Sequence, residues 1–447
     1  MDSQEHIDET VHRIQEMNER IKNERSLVML KDKDIPKGII RLENIGNTCY
    51  MNSILQCLLN IPDINKYFVD PLINKKTYEH VLSKVSDENS ISEILKKTLH
   101  TLTFQLHYIF KASWMLEIKY MKPSNFKQIF GNVINSFKNS DQHDAQEALM
   151  CILDTIHTEH TDKKEHLKIE ITYNLFPLGY LEIFIGMKDL CDLECCKLEN
   201  EYPNVWELYL LKNTIDRYNK KTYSVITKYF QNIISSSLQC PACNYHTFNF
   251  DPTMMLSIDI PIQKYINIEK LQELIEQLKL DGLSEEIKQA IIMEKIQKIN
   301  LTLDQCLDNF TKLEILEDDE KWNCPHCDKK VNGLKRMTIV LPPKIMIIHL
   351  KRFDFQGNKI NNLVEFPIYD FNINKYMANY SSQFKDYTYD LISVVNHNGN
   401  INNGHYYSFV KSDFNKEWYC CNDDCIFKID DTKIITNSAY ILFYILK

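Results

Sequence analysis

The sequence predicts an α+β protein in which helices come first and a mostly antiparallel sheet comes last. Three observations carry this. Between about residues 49 and 156, apolar residues recur at three- and four-residue spacing, the period of a helix buried along one face. From about residue 225 the apolar runs shorten and fill with Ile, Val and aromatics, as strands do. No Gly/Ser/Pro-rich linker separates the two halves, and glycine supplies only 10 of the 447 residues. That combination reads as segregated helices and strands sharing one compact unit, not as domains on a string.

Residues 1–37 are charged, with Ile7, Val11, Ile14 and Ile21 on one helical face. Two readings fit: a surface helix packed on the body, which is the plainer, and a docking helix for a regulatory partner. Pro36-Lys37-Gly38 ends the segment. A helix follows Cys49, with Met51, Ile54, Leu55, Leu58 and Leu59 on one face and Asn60 and Pro62 at its end. Ala145, Leu149, Ile152, Leu153 and Ile156 mark a second long helix. The runs MMLSIDI, TIVL, KIMIIHL, YDLISVV, HYYSFV and AYILFYIL are the predicted strands. Residues 268–299 break this pattern with helical spacing interrupted at Asp281-Gly282, a helical hairpin inserted between strands.

Composition excludes several functions. With 44% apolar and 25% charged residues the chain is globular in type, and a net charge of −9 gives no footprint for nucleic acid. A mildly acidic surface suits a partner that presents Lys or Arg. No apolar run reaches the roughly 18 residues of a membrane span, and no basic-then-apolar leader opens the sequence. The 14 cysteines are therefore expected as reduced thiols in the cytoplasm or nucleus.

Three groups of residues could carry chemistry. Cys49 follows the glycine-bearing turn Asn44-Ile45-Gly46-Asn47-Thr48, which sets its sulfur at a helix N-terminus where unpaired N–H groups favour negative charge. Asn44 could join the Cys49 N–H in an oxyanion hole. His405 opens a predicted strand and is the candidate base. If strands 405–411 and 417–421 form a hairpin, Asn422 returns beside His405 to orient it, and Asp423 is the adjacent alternative. The order Cys, His, Asn is that of papain-like proteases. The second group is metal-like. Cys240-Pro-Ala-Cys243 and Cys324-Pro-His-Cys327 are two CxxC knuckles, each at a predicted hairpin turn, far apart for a simple zinc ribbon. Paired, they would give four thiolates and a closed structural zinc site with no open position for catalysis. His246 and His326 are expected beside the site and not in it, and Cys191, Cys195 and Cys196 as ordinary thiols. The third is Gln142-His143-Asp144-Ala145-Gln146-Glu147. Its acids are either first-turn carboxylates of the second helix or a grip, by Asp144 and Glu147, on a basic extended peptide.

These motifs together resemble the ubiquitin-specific proteases. The stretch LENIGNTCYMNSILQCL around Cys49 resembles the family's Cys box, and Tyr389–Asp424, with Gly404-His405-Tyr406 and Trp418 through Asp423, its His box. QHDAQEALMCILDTIH and LPPKIMIIHLKRFDF resemble two further family segments, in the family's order, from about 40 to 444. The resemblance implies a papain-like core of thumb, palm and fingers. Residues 1–37 would be an extension and 38–447 the catalytic domain. Within it the thumb would run over about 38–225 and the palm over about 346–447. The fingers would run over about 226–262 and 301–345, with the helical insert at 263–300. It implies a deubiquitinase with one structural zinc and no catalytic cofactor, acting on ubiquitin and ubiquitinated proteins, with no nucleic acid or membrane as partner. By position Gln142, Asp144 and Glu147 would contact ubiquitin's arginine-bearing tail. Two rival readings keep the same residues: a protease for another ubiquitin-like modifier, and a silent ubiquitin-binding scaffold. The segments 160–222 and 267–300 are longer than the family pattern.

Overall fold

The computed structural model describes residues 29–70, 97, 99–160, 203–219, 224–266, 268–280, 285–354, 356–378, 386–401 and 403–447. Most of the N-terminal stripe, the Asp281-Gly282 break, Cys191, Cys195, Cys196 and most of the 160–222 segment lie outside these residues. Among the described residues the first half holds the helices α1 (Cys49–Leu59), α2 (Pro62–Val69), α3 (Leu102–Trp114), α4 (Ser124–Val133), α5 (Ala145–Glu159) and α6 (Pro203–Asn219). Every residue of α1 is buried. The predicted apolar face explains only part of that. Asn52, Gln56 and Asn60 form a polar row at four-residue spacing. Their side-chain amides donate to the carbonyls of Leu42 and Glu43, of Ile40, and of Gly38. The row thereby satisfies buried amides and ties the 38–43 segment alongside α1. This segment leads directly into the Cys49 turn, so the ladder fixes the approach to the candidate nucleophile.

The second half builds an eight-stranded sheet. Its order is Cys425–Ile429, Trp418–Asn422, Gly404–Lys411, Thr388–Gly399, Ala439–Leu446, Ile345–Lys351 and Leu256–Asp259, with Phe371–Asn372 pairing beside Thr388–Gly399. All of the predicted strand runs are present. Neighbours are antiparallel except Ile345–Lys351 with Leu256–Asp259, which run parallel. One face of the sheet takes α1. Val395, Tyr406, Val410, Tyr419, Cys421, Ile441 and Phe443 join Ile54, Leu55 and Leu58 in a single core with α5. Burying such side chains supplies about 1.5–3 kcal/mol each relative to exposure, which is what presses helix and sheet together. The opposite face closes over a second core that includes Leu350, Phe366, Tyr389, Phe409 and Leu442.

A separate four-stranded antiparallel sheet, ordered His246–Thr253, Asn232–Gln239, Leu334–Leu341 and Leu313–Ile315, carries the first knuckle in its hairpin. The second knuckle turns between Trp322–Cys324 and Lys329–Val331. The predicted inserted hairpin is two helices, Ile268–Leu280 and Glu285–Gln297, packed on each other. The helical stripe of Ile7, Val11, Ile14 and Ile21 lies outside the described residues; at the described end of the 1–37 segment Met29 bridges Phe427, Leu30 N donates to the Ile426 carbonyl, and Asp32–Asp34 form a single 3-10 turn. The open edge of the sheet at Cys425–Ile429 supplies unpaired backbone groups that compete with helix hydrogen bonds for these residues.

Candidate active site

Cys49 is the first residue of α1 and is 5% exposed. The turn before it is organised by Asn44, whose side-chain oxygen accepts from the N–H groups of Gly46 and Thr48 at 3.2 and 3.0 Å. The chain then passes through left-handed backbone at Gly46 (φ +111) and Asn47 (φ +51), the residue types that tolerate it. Ile45 N donates to the Thr48 hydroxyl at 3.1 Å and closes the turn.

His405 is the second residue of its strand and is buried. The expected hairpin forms, with Ser408 opposite Cys421 and Lys411 opposite Trp418. This register sets His405 and Asn422 on one face as diagonal neighbours. The Asn422 side-chain oxygen lies 2.6 Å from His405 Nε2. An amide oxygen only accepts, so Nε2 carries the proton and Nδ1 is left to face the thiol. The Cys49 sulfur is within hydrogen-bonding reach of the ring. Burial works against a charged imidazole here. The Cys49 charge and hydrogen bond, the Asp423 charge and the Asn422 bond outweigh it and lift His405 to about 9.

Asn422, not Asp423, therefore holds the imidazole directly. Asp423 does something the sequence did not suggest. Its two carboxylate oxygens accept from Asn44 Nδ2 at 3.0 Å and Asn52 Nδ2 at 2.8 Å, and its carbonyl accepts from Leu42 N at 3.2 Å. Its own backbone is left-handed (φ +50), which turns the strand end toward the helical half. Burial raises its carboxyl above the ordinary aspartate range, and the His405 charge and the two amide donors offset only part of this. Asp423 thus clamps the Cys49 turn to the His405–Asn422 hairpin. One amide hydrogen of Asn44 is spent on this clamp.

The QHDAQE segment splits in role. Gln142 Oε1 accepts from Gly404 N at 2.8 Å, next to His405. Asp144 is the N-cap of α5, accepting from Gln146 N through Oδ1 and from the Tyr440 hydroxyl through Oδ2, both at 2.6 Å. Glu147 stands exposed in the first turn. Gly404 has no side chain to spare: a Cβ there would lie 2.0 Å from His397 Nε2. This close stacking on the neighbouring strand was not legible from motif spacing.

The four knuckle cysteines converge. Their sulfurs all lie within 4.8 Å of one another, with Cys240–Cys327 at 3.8 Å and Cys243–Cys324 at 3.6 Å. A zinc ion with Zn–S bonds of about 2.3 Å requires tetrahedral edges of about 3.8 Å, so the group fits that ion. Asn244 N and Asp328 N close matching turns onto the Cys240 and Cys324 carbonyls, and both residues have left-handed φ. Neither histidine joins the cluster. His326 stacks on Tyr245 and His246 on Phe248.

Comparison with known proteins bears on this geometry. Residues 40–444 match the family described as ubiquitin carboxyl-terminal hydrolase. The chain belongs to this family. Its expected class follows, a cysteine-type hydrolase of the deubiquitinating kind. The probable ubiquitin carboxyl-terminal hydrolase R319 of Acanthamoeba polyphaga mimivirus is 27% identical, with 91% of this chain and 90% of the relative covered. Ubiquitin carboxyl-terminal hydrolase 5 of Saccharomyces cerevisiae is 30% identical over 91% of this chain, which spans only 44% of that protein. For hydrolase 4 of the same yeast the figures are 28%, 91% and 39%, so the chain covers less than half of these yeast relatives. Among solved structures, the SAGA Ubp8/Sgf11/Sus1/Sgf73 DUB module bound to monoubiquitin gives a TM-score of 0.59 at 20% identity, covering 94% of this chain and 71% of that chain. The same module bound to ubiquitin aldehyde gives 0.57 at 21%, covering 92% and 70%. At these identities the likeness is one of fold.

Proposed function

We propose that this hydrolase cleaves the peptide or isopeptide bond after the C-terminal glycine of ubiquitin, on conjugates or chains, with Cys49 as nucleophile. The observation that carries the reading is the meeting of Cys49, His405 and Asn422, with the imidazole lifted to about 9 beside the thiol. In this reading the thiol proton passes to His405 Nδ1 and the Cys49 sulfur attacks the glycine carbonyl carbon. The Cys49 N–H and the second amide hydrogen of Asn44 stabilise the oxyanion. As the intermediate collapses, the C–N bond breaks and His405 gives its proton to the leaving lysine amine. Water then enters, His405 removes its proton, and the hydroxyl displaces the sulfur to release the ubiquitin carboxylate and the thiol. Asn422 keeps the imidazole in one tautomer throughout.

Gln142, Asp144 and Glu147 are proposed as the wall that meets the basic ubiquitin tail. Glu147 offers its carboxylate to solvent, and Gln142 and Asp144 shape the wall from fixed positions. The fingers, palm and thumb boundaries, a zinc ion on Cys240, Cys243, Cys324 and Cys327, and a partner for residues 1–37 belong to the same proposal. The solved neighbours are held with Sgf11, Sus1 and Sgf73 as well as ubiquitin, which supports a regulatory partner in general. Zinc would staple the fingers and take no part in the reaction, because all four of its positions would be filled. All described cysteines are free thiols, and among the described residues no helix is long and apolar enough to cross a membrane. Action in the cytoplasm or nucleus fits both.

The test is labelling with ubiquitin bearing a C-terminal electrophile, on wild type and Cys49→Ala side by side. Labelling of wild type alone, with Cys49→Ala still binding ubiquitin but cleaving nothing, is the expected result. A folded wild type that takes no label would refute ubiquitin as the modifier and shift the reading to another modifier or a silent scaffold.

A further inference from the structure

Lys127 sits one turn into α4 and is half-buried. An ammonium has three donors and no acceptor. All three here find oxygens: the Tyr50 hydroxyl at 3.1 Å, the Phe137 carbonyl at 2.6 Å and the Asn139 carbonyl at 2.9 Å. The charge also lies 5.7 Å from the centre of the Tyr50 ring. Tyr50 is the residue after Cys49. The two carbonyls belong to a strap, residues 137–142, that runs from α4 to the start of α5. Gly131, one turn beyond Lys127, lets the strap lie against the helix: a Cβ there would meet Lys138 Cα at 2.7 Å and the Phe137 carbonyl oxygen at 3.0 Å.

The far part of the strap touches both halves of the site. Ser140 O accepts from Asn47 Nδ2 at 2.8 Å, inside the Cys49 turn. Gln142 accepts from Gly404 N, beside His405. One cation thus anchors a short segment that bonds the nucleophile's turn at one residue and the histidine's strand two residues later. We propose that Lys127 is a positioning residue for the Cys49–His405 pair, acting through this strap. The proposal rests on the reading of Cys49 as nucleophile and His405 as base. Lys127 touches neither substrate nor the reacting atoms, so its effect should fall on turnover and not on ubiquitin binding.

The experiment compares wild type with Lys127→Met, Lys127→Arg and Asn47→Gly. Asn47→Gly cuts the strap's bond to the Cys49 turn while suiting the left-handed backbone at that position. Two readouts are used: kcat and KM on a fluorogenic ubiquitin conjugate, and the rate at which iodoacetamide alkylates Cys49, followed by mass spectrometry of its peptide. Expected are kcat losses of about 10–100-fold in Lys127→Met and Asn47→Gly with KM changed by less than about 3-fold, as small misplacements of reacting groups produce. Cys49 alkylation should slow in the same variants, and Lys127→Arg should recover most of both rates. Folded Lys127→Met with wild-type kcat overturns the proposal, as does Lys127→Arg being as impaired as Lys127→Met, which would assign the loss to packing. Should Lys127→Met fail to fold, Asn47→Gly decides, and an unchanged kcat there overturns it. If wild type cleaves no ubiquitin conjugate, the reading of the substrate has failed, and Cys49 alkylation alone still decides the role of Lys127.

Discussion

The Asp423 clamp makes a quantitative prediction. Asp423 accepts one amide hydrogen bond on each carboxylate oxygen, from Asn44 and Asn52. Hydrogen bonds to charged groups contribute about 1.5–3 kcal/mol, and the desolvation that burial imposes on the carboxylate offsets part of this, leaving about 1–2 kcal/mol per bond. Asn52→Ala alone would overstate the pair, because the same amide also donates to the carbonyls of Leu42 and Glu43. A double-mutant cycle with Asn52→Ala and Asp423→Ala removes that excess. The expected coupling is about 1–2 kcal/mol, read from urea midpoints at a constant slope. Each single variant should also lose at least about 10-fold in kcat, since the clamp joins the Cys49 turn to the hairpin that carries His405 and Asn422. A coupling below about 0.5 kcal/mol would show that the two side chains stand near each other without holding the halves together.

Two further outcomes follow from the site and the knuckles. His405 has a folded pKa of about 9 against an ordinary value of about 6.5, so the stability it lends is complete below about pH 6.5 and is lost as pH rises through about 9. The basic limb of kcat/KM should fall in the same range, and Cys49→Ala should lower the His405 titration by removing the charge and bond that raise it. Proton NMR of the imidazole checks this, and a wild-type His405 titrating below about 7 would contradict it. Purified protein should carry one zinc, and Cys324→Ser or a strong chelator should remove it and destabilise the four-stranded sheet by several kcal/mol, structural sites binding with about 10–16 kcal/mol. Elemental analysis with a thermal melt reads both effects, and metal-free protein of unchanged melting behaviour would exclude the ion.

What the sequence disclosed about this fold was local in origin. The α1 stripe, the strand runs and the two CxxC turns are set by neighbours within a few residues. The Asn422–His405 contact was reachable because a single hairpin connects them. The clamp was not, because Asn44 and Asp423 stand 379 positions apart and nothing in either local pattern names the other. The amide row of Asn52, Gln56 and Asn60 did leave a signal, polar residues at four-residue spacing on a helix with no exposed face. Reading only the apolar positions hid it. The parallel pairing of Leu256–Asp259 was equally invisible, since a four-residue strand does not declare its partner. The extended path of Met29 and Leu30 was set by an edge strand nearly 400 residues later in the chain.

The inserted helical pair lies between the two knuckles in the chain, and both of its ends are tethered. Ile262 before it is buried in the second core, and after it Leu301 N donates to the Leu363 carbonyl while Asn362 Nδ2 donates to the carbonyls of Ile296 and Ile299. The polymer statistics of such a loop are lenient. Once its ends are pinned, doubling its length costs only about 0.6 kcal/mol of closure entropy. Shortening or lengthening this excursion should therefore leave the cysteine tetrad and the distant Cys49–His405 pair where they are. The segment between the knuckles is a place where the chain can acquire or shed bulk without renegotiating the rest of its architecture.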